Sequence, residues 1–334
     1  MRSYEISWPV GPTAVYGTVV EPDGRGPFPA VVFVAGSGPT DRDWNSPLLP
    51  GSNGSGRLLA EALADSGFAS LRYDKRAAGP HAQENMPLLI GAMSMQSHLD
   101  ELTGAVEALT HHAPVRHDGL FGLGNSEGTL HVLNYAAGQT AWPLAGVVLT
   151  APPGRSVGEV ARSQVAAQVL AAPADGAGIL ADYDAAISRF LAGQPVAPSP
   201  GLPEAIRQML SALESPVNLP FARQLWTADA ATLLQQVDTA ALIVIGKKDV
   251  QVDWKTEGEV LQRATAGRDD VAFSFPENAN HVLKHEDRPA SELLQADVVT
   301  GYNAAGTYLD PEAVTAIVDW LQARAAGPGP DPRS

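Results

Sequence analysis

Short continuous runs of apolar residues alternate along this chain with segments whose apolar positions recur every three to four residues. Residues 30–35 (AVVFVA), 68–73 (FASLRY), 119–123 (GLFGL), 144–150 (LAGVVLT), 240–245 (AALIVI) and 271–275 (VAFSF) are of the first kind. Such runs suit strands buried on both faces, as in a parallel sheet. Residues 56–66, 97–109, 128–137, 256–264 and 311–325 are of the second kind. Gly67 is a natural stop for the first of these helices, and Asp310 with Pro311 a natural start for the last. Strand and helix in alternation predict an α/β fold: a mostly parallel central sheet with helices on both faces. Residues 4–8 and 14–21 read as two further strands joined by a turn at Gly11-Pro12, an antiparallel edge to that sheet.

The alternation breaks between residues 156 and 236. There the pattern predicts Ala-rich helices over 157–171, 179–191, 203–213 and 228–236, with Pro/Gly-rich breaks such as 193–203 (GQPVAPSPGLP) and no buried strand. The expected organisation is a core of residues 1–155 and 237–326, a helical insertion at 156–236, and a disordered tail at 327–334 (GPGPDPRS). The insertion reads as a cap over a site or as an independent helical domain. The former fits better, because the α/β rhythm resumes after it.

Composition narrows the function classes. A net charge of −15 repels phosphate backbones and anionic lipid heads, so no nucleic-acid or membrane partner is expected. With no cysteine, disulfides, thiolate metal sites and cysteine nucleophiles are excluded. The first residues lack the apolar region of a secretory signal, and no apolar run approaches the length of a membrane span; a cytoplasmic location is expected. His111, His112 and His117 do not share one face at metal-ligand spacing, and no metal or organic cofactor is expected.

The strongest chemical signal is Gly124-Asn125-Ser126-Glu127-Gly128, between a strand and a helix. This is the setting of a nucleophile elbow: the turn holds the serine in a strained conformation, and its neighbours two residues away must be small. A serine hydroxyl needs a base, usually a histidine oriented by a carboxylate. Behind this type of elbow the acid and then the base follow in chain order. Of the eight histidines, His281 and His285 come late enough, and His281 sits on the loop just beyond the strand at 271–275. His281 is the expected base, and His285 a rim residue. The expected acid is Asp249, on the loop after residues 240–245; Asp253 serves instead or caps the next helix. Oxyanion donors are expected from the backbone N–H of Glu127 and of Ser37 (or its neighbour Gly38), in the small-residue loop 35–39.

Taken with GSGPTDRD (36–43), LRYDKR (71–76), GKKD (246–249) and NHVLK (280–284), the chain resembles the α/β-hydrolase superfamily. More narrowly it is similar to its bacterial esterase and serine-aminopeptidase-like branch. The resemblance implies a triad of Ser126, Asp249 and His281 and a cap inserted after the sixth strand. It also implies structural roles for Asp41, Arg42, Asp43, Arg72, Asp74 and Arg76, as an ion network under the cap. It departs from many relatives at Asn125 and Ala35, where they carry histidine. The implied activity is that of a carboxylesterase on a small-molecule ester. An aminopeptidase or thioesterase with the same triad is the alternative, and a non-catalytic binding protein on this fold is the alternative of another class. Apolar residues of the insertion (Val165, Leu170, Leu180, Phe190, Leu210, Phe221, Leu225, Trp226) suit either an acyl pocket or a helix-packing core.

Overall fold

The computed structural model describes residues 1–52, 54–170, 176–293 and 295–326; the tail expected at 327–334 and the end of the helix expected at 157–171 lie outside the described residues. Among the described residues the strands are Arg2–Val10 (β1), Thr13–Glu21 (β2), Phe28–Val34 (β3), Ala69–Tyr73 (β4), Val115–Asn125 (β5), Gly146–Thr150 (β6), Ala241–Val244 (β7) and Val271–Ser274 (β8). They form one sheet in the order β1-β2-β4-β3-β5-β6-β7-β8. β1 pairs antiparallel with β2, and β2 with β4; every other pairing is parallel. The antiparallel edge is the one the sequence predicts, turning at Gly11 (φ 57°).

The helices are Ser55–Asp65 (α1), Ala82–Leu89 (α2), Met95–His112 (α3), Glu127–Ala137 (α4), Val157–Leu170 (α5), Gly176–Leu191 (α6), Glu204–Leu213 (α7), Phe221–Trp226 (α8), Ala230–Leu234 (α9), Trp254–Ala264 (α10), Gln295–Thr300 (α11) and Pro311–Ala325 (α12). Strand β3 shows why its run is apolar throughout. Val31 and Phe33 pack with Leu59 and Leu63 of α1 and Ile317 and Leu321 of α12. Val32 and Val34 point the other way, into a core shared with Leu102 of α3, Leu130 of α4, Leu234 of α9 and Leu261 of α10. A side-chain period of two with helices on both faces leaves no polar side to such a strand.

Helices α5 to α9 all lie between β6 and β7. Val165, Tyr183, Phe190, Leu210 and Trp226 belong to a third core drawn from this segment alone. Its end is tied to the sheet domain: Ala230 and Leu234 of α9 pack in the main core beside α4 and α10. Among the described residues no helix is long and apolar enough to cross a membrane.

Candidate active site

β5 ends at Asn125 and α4 begins at Glu127, leaving Ser126 alone at the corner with φ 54° and ψ −121°. A positive φ is costly for a residue with a Cβ and persists only where the surroundings enforce it. Here the Ser126 N–H donates to Thr150 O at 2.8 Å, and the Ser126 carbonyl accepts from Thr129 N at 3.0 Å and Thr129 Oγ1 at 2.6 Å. The flanking glycines are sterically obligatory. A Cβ on Gly124 would lie 2.4 Å from Gly128 O, and one on Gly128 would lie 2.3 Å from Val34 O. The spacing legible in the sequence is therefore a packing requirement of the corner: α4 starts in contact with the end of β3.

His281 and Asp249 stand on the loops that follow β8 and β7, and these two loops close on each other. Gly246 makes the approach possible, since a Cβ there would fall 1.9 Å from Ala279 O. Asp249 is buried, and its Oδ2 meets His281 Nδ1 at 2.8 Å. Its Oδ1 accepts from Gln251 N at 2.7 Å and Val252 N at 2.9 Å, which fixes the carboxylate plane. Asp253 instead caps α10, accepting from Thr256 N at 2.7 Å and Thr256 Oγ1 at 2.6 Å. His285 points away, between Asp310 (2.8 Å) and Asp287 (3.0 Å).

Ser126 and His281 open on one cavity of about 540 Å³, together with Gly36, Ser37, Gly38 and Glu127. The rest of the lining is largely apolar: Trp44, Val157, Val160, Leu213, Phe221, Leu225 and Trp226 contribute to it. The apolar residues of the insertion thus divide. Phe221 and Leu225 face the cavity, Val165, Phe190 and Leu210 pack inside the insertion, and Trp226 does both; the Leu170 side chain lies outside the described residues.

A chain of buried polar groups runs beneath the corner, and sequence reasoning missed most of it. Lys75 Nζ donates to Gly36 O at 2.6 Å and to Glu127 Oε1 at 2.9 Å. His131 Nε2 lies 3.3 Å from the same Glu127 oxygen. The His98 ring is 4.5 Å from that of His131, and His98 Nδ1 is 3.2 Å from Glu101, which also accepts from Arg76 Nε at 2.7 Å. Burial opposes ionisation of Glu127, but Lys75, His131 and His98 together hold its carboxyl well below the usual range. Burial and the neighbouring His98 push His131 down to about 4, so its imidazole is neutral at neutral pH. His98, Glu127 and His131 could together hold a metal ion by their donor types, with ligand atoms within 4.8 Å of one another. The Lys75 ammonium already supplies positive charge on Glu127, which disfavours a second cation there.

Of the residues expected in an ion network, Arg42, Asp43, Arg72 and Asp74 form ion pairs apart from this chain of buried groups, while Asp41 accepts from Asp43 N and Asn45 N. Arg42 grips Asp74 through Nε (3.0 Å) and Nη2 (2.7 Å), and Arg72 Nε meets Asp43 at 3.0 Å. Arg76 belongs instead to the Glu101 cluster. His111 and His112 are exposed at the end of α3, and the exposed His117 stacks on Trp142.

No family model matches the chain. It is 26% identical to esterase EstD of Thermotoga maritima over 269 residues, 80% of this chain, and spans 57% of that relative's length. Among solved structures, an α/β hydrolase of Penicillium sp. superposes with a TM-score of 0.57 at 16% identity, covering 98% of this chain and 100% of that one. A proline iminopeptidase of Mycobacterium smegmatis gives 0.56 at 15% identity with the same coverage. An esterase of Pyrococcus furiosus gives 0.55 at 14% identity, over 97% and 91%. With its sheet order, its serine corner after β5 and these superpositions, the chain is an α/β-hydrolase in fold.

Proposed function

We propose that the protein is a serine hydrolase of carboxylic esters, with Ser126 as nucleophile, His281 as base and Asp249 as the acid that orients it. The observation that carries this reading is the 2.8 Å contact between His281 Nδ1 and Asp249 Oδ2, on a cavity that also holds the strained Ser126. Asp249 keeps the proton on Nδ1, so Nε2 is free to take the Ser126 proton as Oγ attacks the ester carbonyl. The Glu127 and Ser37 amides receive the oxyanion, one at the start of α4 and one on the loop after β3. Collapse expels the alkoxide, which takes the proton back from His281. Water then attacks the acyl group by the same route, with His281 again as base. The names of the Thermotoga and Pyrococcus proteins support ester cleavage.

The cavity supports an ester rather than a peptide with a free amine. Holding an ammonium group requires a carboxylate in the cavity, and the one among its lining residues, Glu127, is taken by Lys75. Of the acids of the insertion, Glu159 pairs with Ser156, Asp184 with Arg162 and Glu214 with Val196 N; neither they nor Asp182 line the cavity. In this reading residues 156–236 are the cap, and Phe221, Leu225 and Trp226 give the acyl chain an apolar surface.

The test is turnover of nitrophenyl esters, acyl thioesters and aminoacyl anilides in parallel, with a fluorophosphonate probe. The expected result is ester cleavage, labelling of Ser126, and loss of both in Ser126→Ala. A folded protein inert to esters and probe alike makes the chain a binding protein on this fold.

A further inference from the structure

Lys75 stands just beyond β4 and is buried, 4% exposed. A buried lysine paired with a buried glutamate gains little stability over apolar side chains of the same volume. Its placement therefore calls for another reason, and its two acceptors supply one. Gly36 O, at 2.6 Å, belongs to the peptide unit whose N–H is that of Ser37. In a trans peptide the carbonyl and the N–H point in opposite directions within one plane. An ammonium on the carbonyl therefore fixes where the Ser37 N–H points, and it polarises the amide toward stronger donation. The second acceptor, the Glu127 carboxylate at 2.9 Å, stands on the residue whose own N–H opens α4. One ammonium thus ties together the two chain segments that carry the proposed oxyanion donors. Gly36 brings them close, since a Cβ on it would lie 3.4 Å from Ser126 Cβ.

The geometry points to Lys75 as a positioning residue of the oxyanion hole, locking the Gly36–Ser37 peptide to the Glu127 end of α4. This rests on the reading of Ser126 as nucleophile with Ser37 and Glu127 as donors. Lys75 touches no reacting atom; it acts through the direction and polarity of the Ser37 N–H. A misdirected donor loses the developing anion and leaves ground-state binding in place, so the effect falls on kcat and not on KM.

The test compares wild type with Lys75→Met and with Lys75→Met/Glu127→Gln, which leaves no unpaired buried charge. Two quantities are measured: steady-state kinetics on a nitrophenyl ester, and affinity for an alkyl trifluoromethyl ketone, which forms an anionic tetrahedral adduct on the serine. Removing a whole oxyanion donor costs roughly 100- to 1,000-fold in kcat. Losing the clamp is expected to cost about 10- to 100-fold, with KM within threefold and ketone affinity reduced by the same factor as kcat. If Lys75→Met does not fold, the double variant carries the comparison. The proposal is overturned by a folded variant whose kcat stays within threefold of wild type. It is equally overturned if kcat falls while ketone affinity does not, or if the double variant regains full activity. Failure of the underlying hydrolase reading looks different, because wild type itself then shows neither turnover nor label.

Discussion

Asn125 donates from Nδ2 to the His281 carbonyl at 3.1 Å, bridging the residue before the nucleophile to the loop that carries the proposed base. The same amide reaches Thr150 Oγ1 at 3.1 Å, at the end of β6. One buried side chain therefore sets the spacing between elbow and base loop. The partner of this donor is the backbone of His281 itself. Replacing Asn125 with Ala leaves both acceptors without this donor in a buried setting, at about 1–3 kcal/mol. The expected outcome is a lower midpoint in urea and a fall in kcat of roughly tenfold as His281 loosens. Unchanged kcat would show that the base loop holds its place without this contact.

The two candidate acids separate cleanly. Asp249 lies on His281 and Asp253 on the start of α10. Asp249→Asn is expected to reduce kcat by about 10⁴-fold, since an amide holds the imidazole in the wrong tautomer. Asp253→Ala is expected to cost only its cap, about 1 kcal/mol of stability, with kcat within threefold of wild type. Kinetics and denaturation of the two variants side by side check this; a reversal of the two effects would exchange the roles.

Stability should fall in acid through the buried network under the elbow. Burial and His98 hold His131 at about 4 in the folded chain, against an ordinary value of 6.5. The unfolded chain binds that proton more readily, so this contribution is fully present above about 6.5 and drains away as pH drops toward 4. Glu101 adds a second loss at lower pH. Burial raises it, but His98 and Arg76 outweigh that and bring it to about 2, so its contribution declines from about 4.5 downward. Thermal unfolding followed from pH 7 to pH 4 is expected to show a loss of up to about 3 kcal/mol from His131, at about 1.4 kcal/mol per unit. The loss should shrink in His131→Gln.

How much of this was legible in the sequence depends on how locally each feature is enforced. Gly124 and Gly128 are fixed by contacts a few ångströms from Ser126, so the corner announces itself in five consecutive residues. The strand at 30–35 and the helix at 311–325 were readable because burial on both faces, or on one stripe, writes a period into the chain. Lys75 was not readable as a clamp: its acceptors lie 39 and 52 residues away, and a lysine in LRYDKR looks like any solvated loop cation. The link from Asn125 to His281 spans 156 residues and has no local signature. Helix α2 was hidden by Pro87 within it, a residue that argues against helix on local grounds. The apolar residues of the insertion could not be sorted from sequence either, because facing a cavity and facing another helix demand the same side chains.

The cavity gives a prediction about acyl length. Ala161 of α5 lines it, and no charged residue of the insertion is among its lining. A phenylalanine there would project into space that a longer acyl chain needs, while a short acyl group at Ser126 would leave that space empty. Each methylene denied an apolar contact is worth about 1 kcal/mol in transition-state binding. Ala161→Phe is therefore expected to lower kcat/KM for an octanoyl nitrophenyl ester by at least tenfold and to leave the acetyl ester within threefold. A uniform loss across chain lengths would mean that the substitution disturbs the catalytic groups and that the acyl chain runs along another wall. A gain for the octanoyl ester would place the chain against α5 with room to spare.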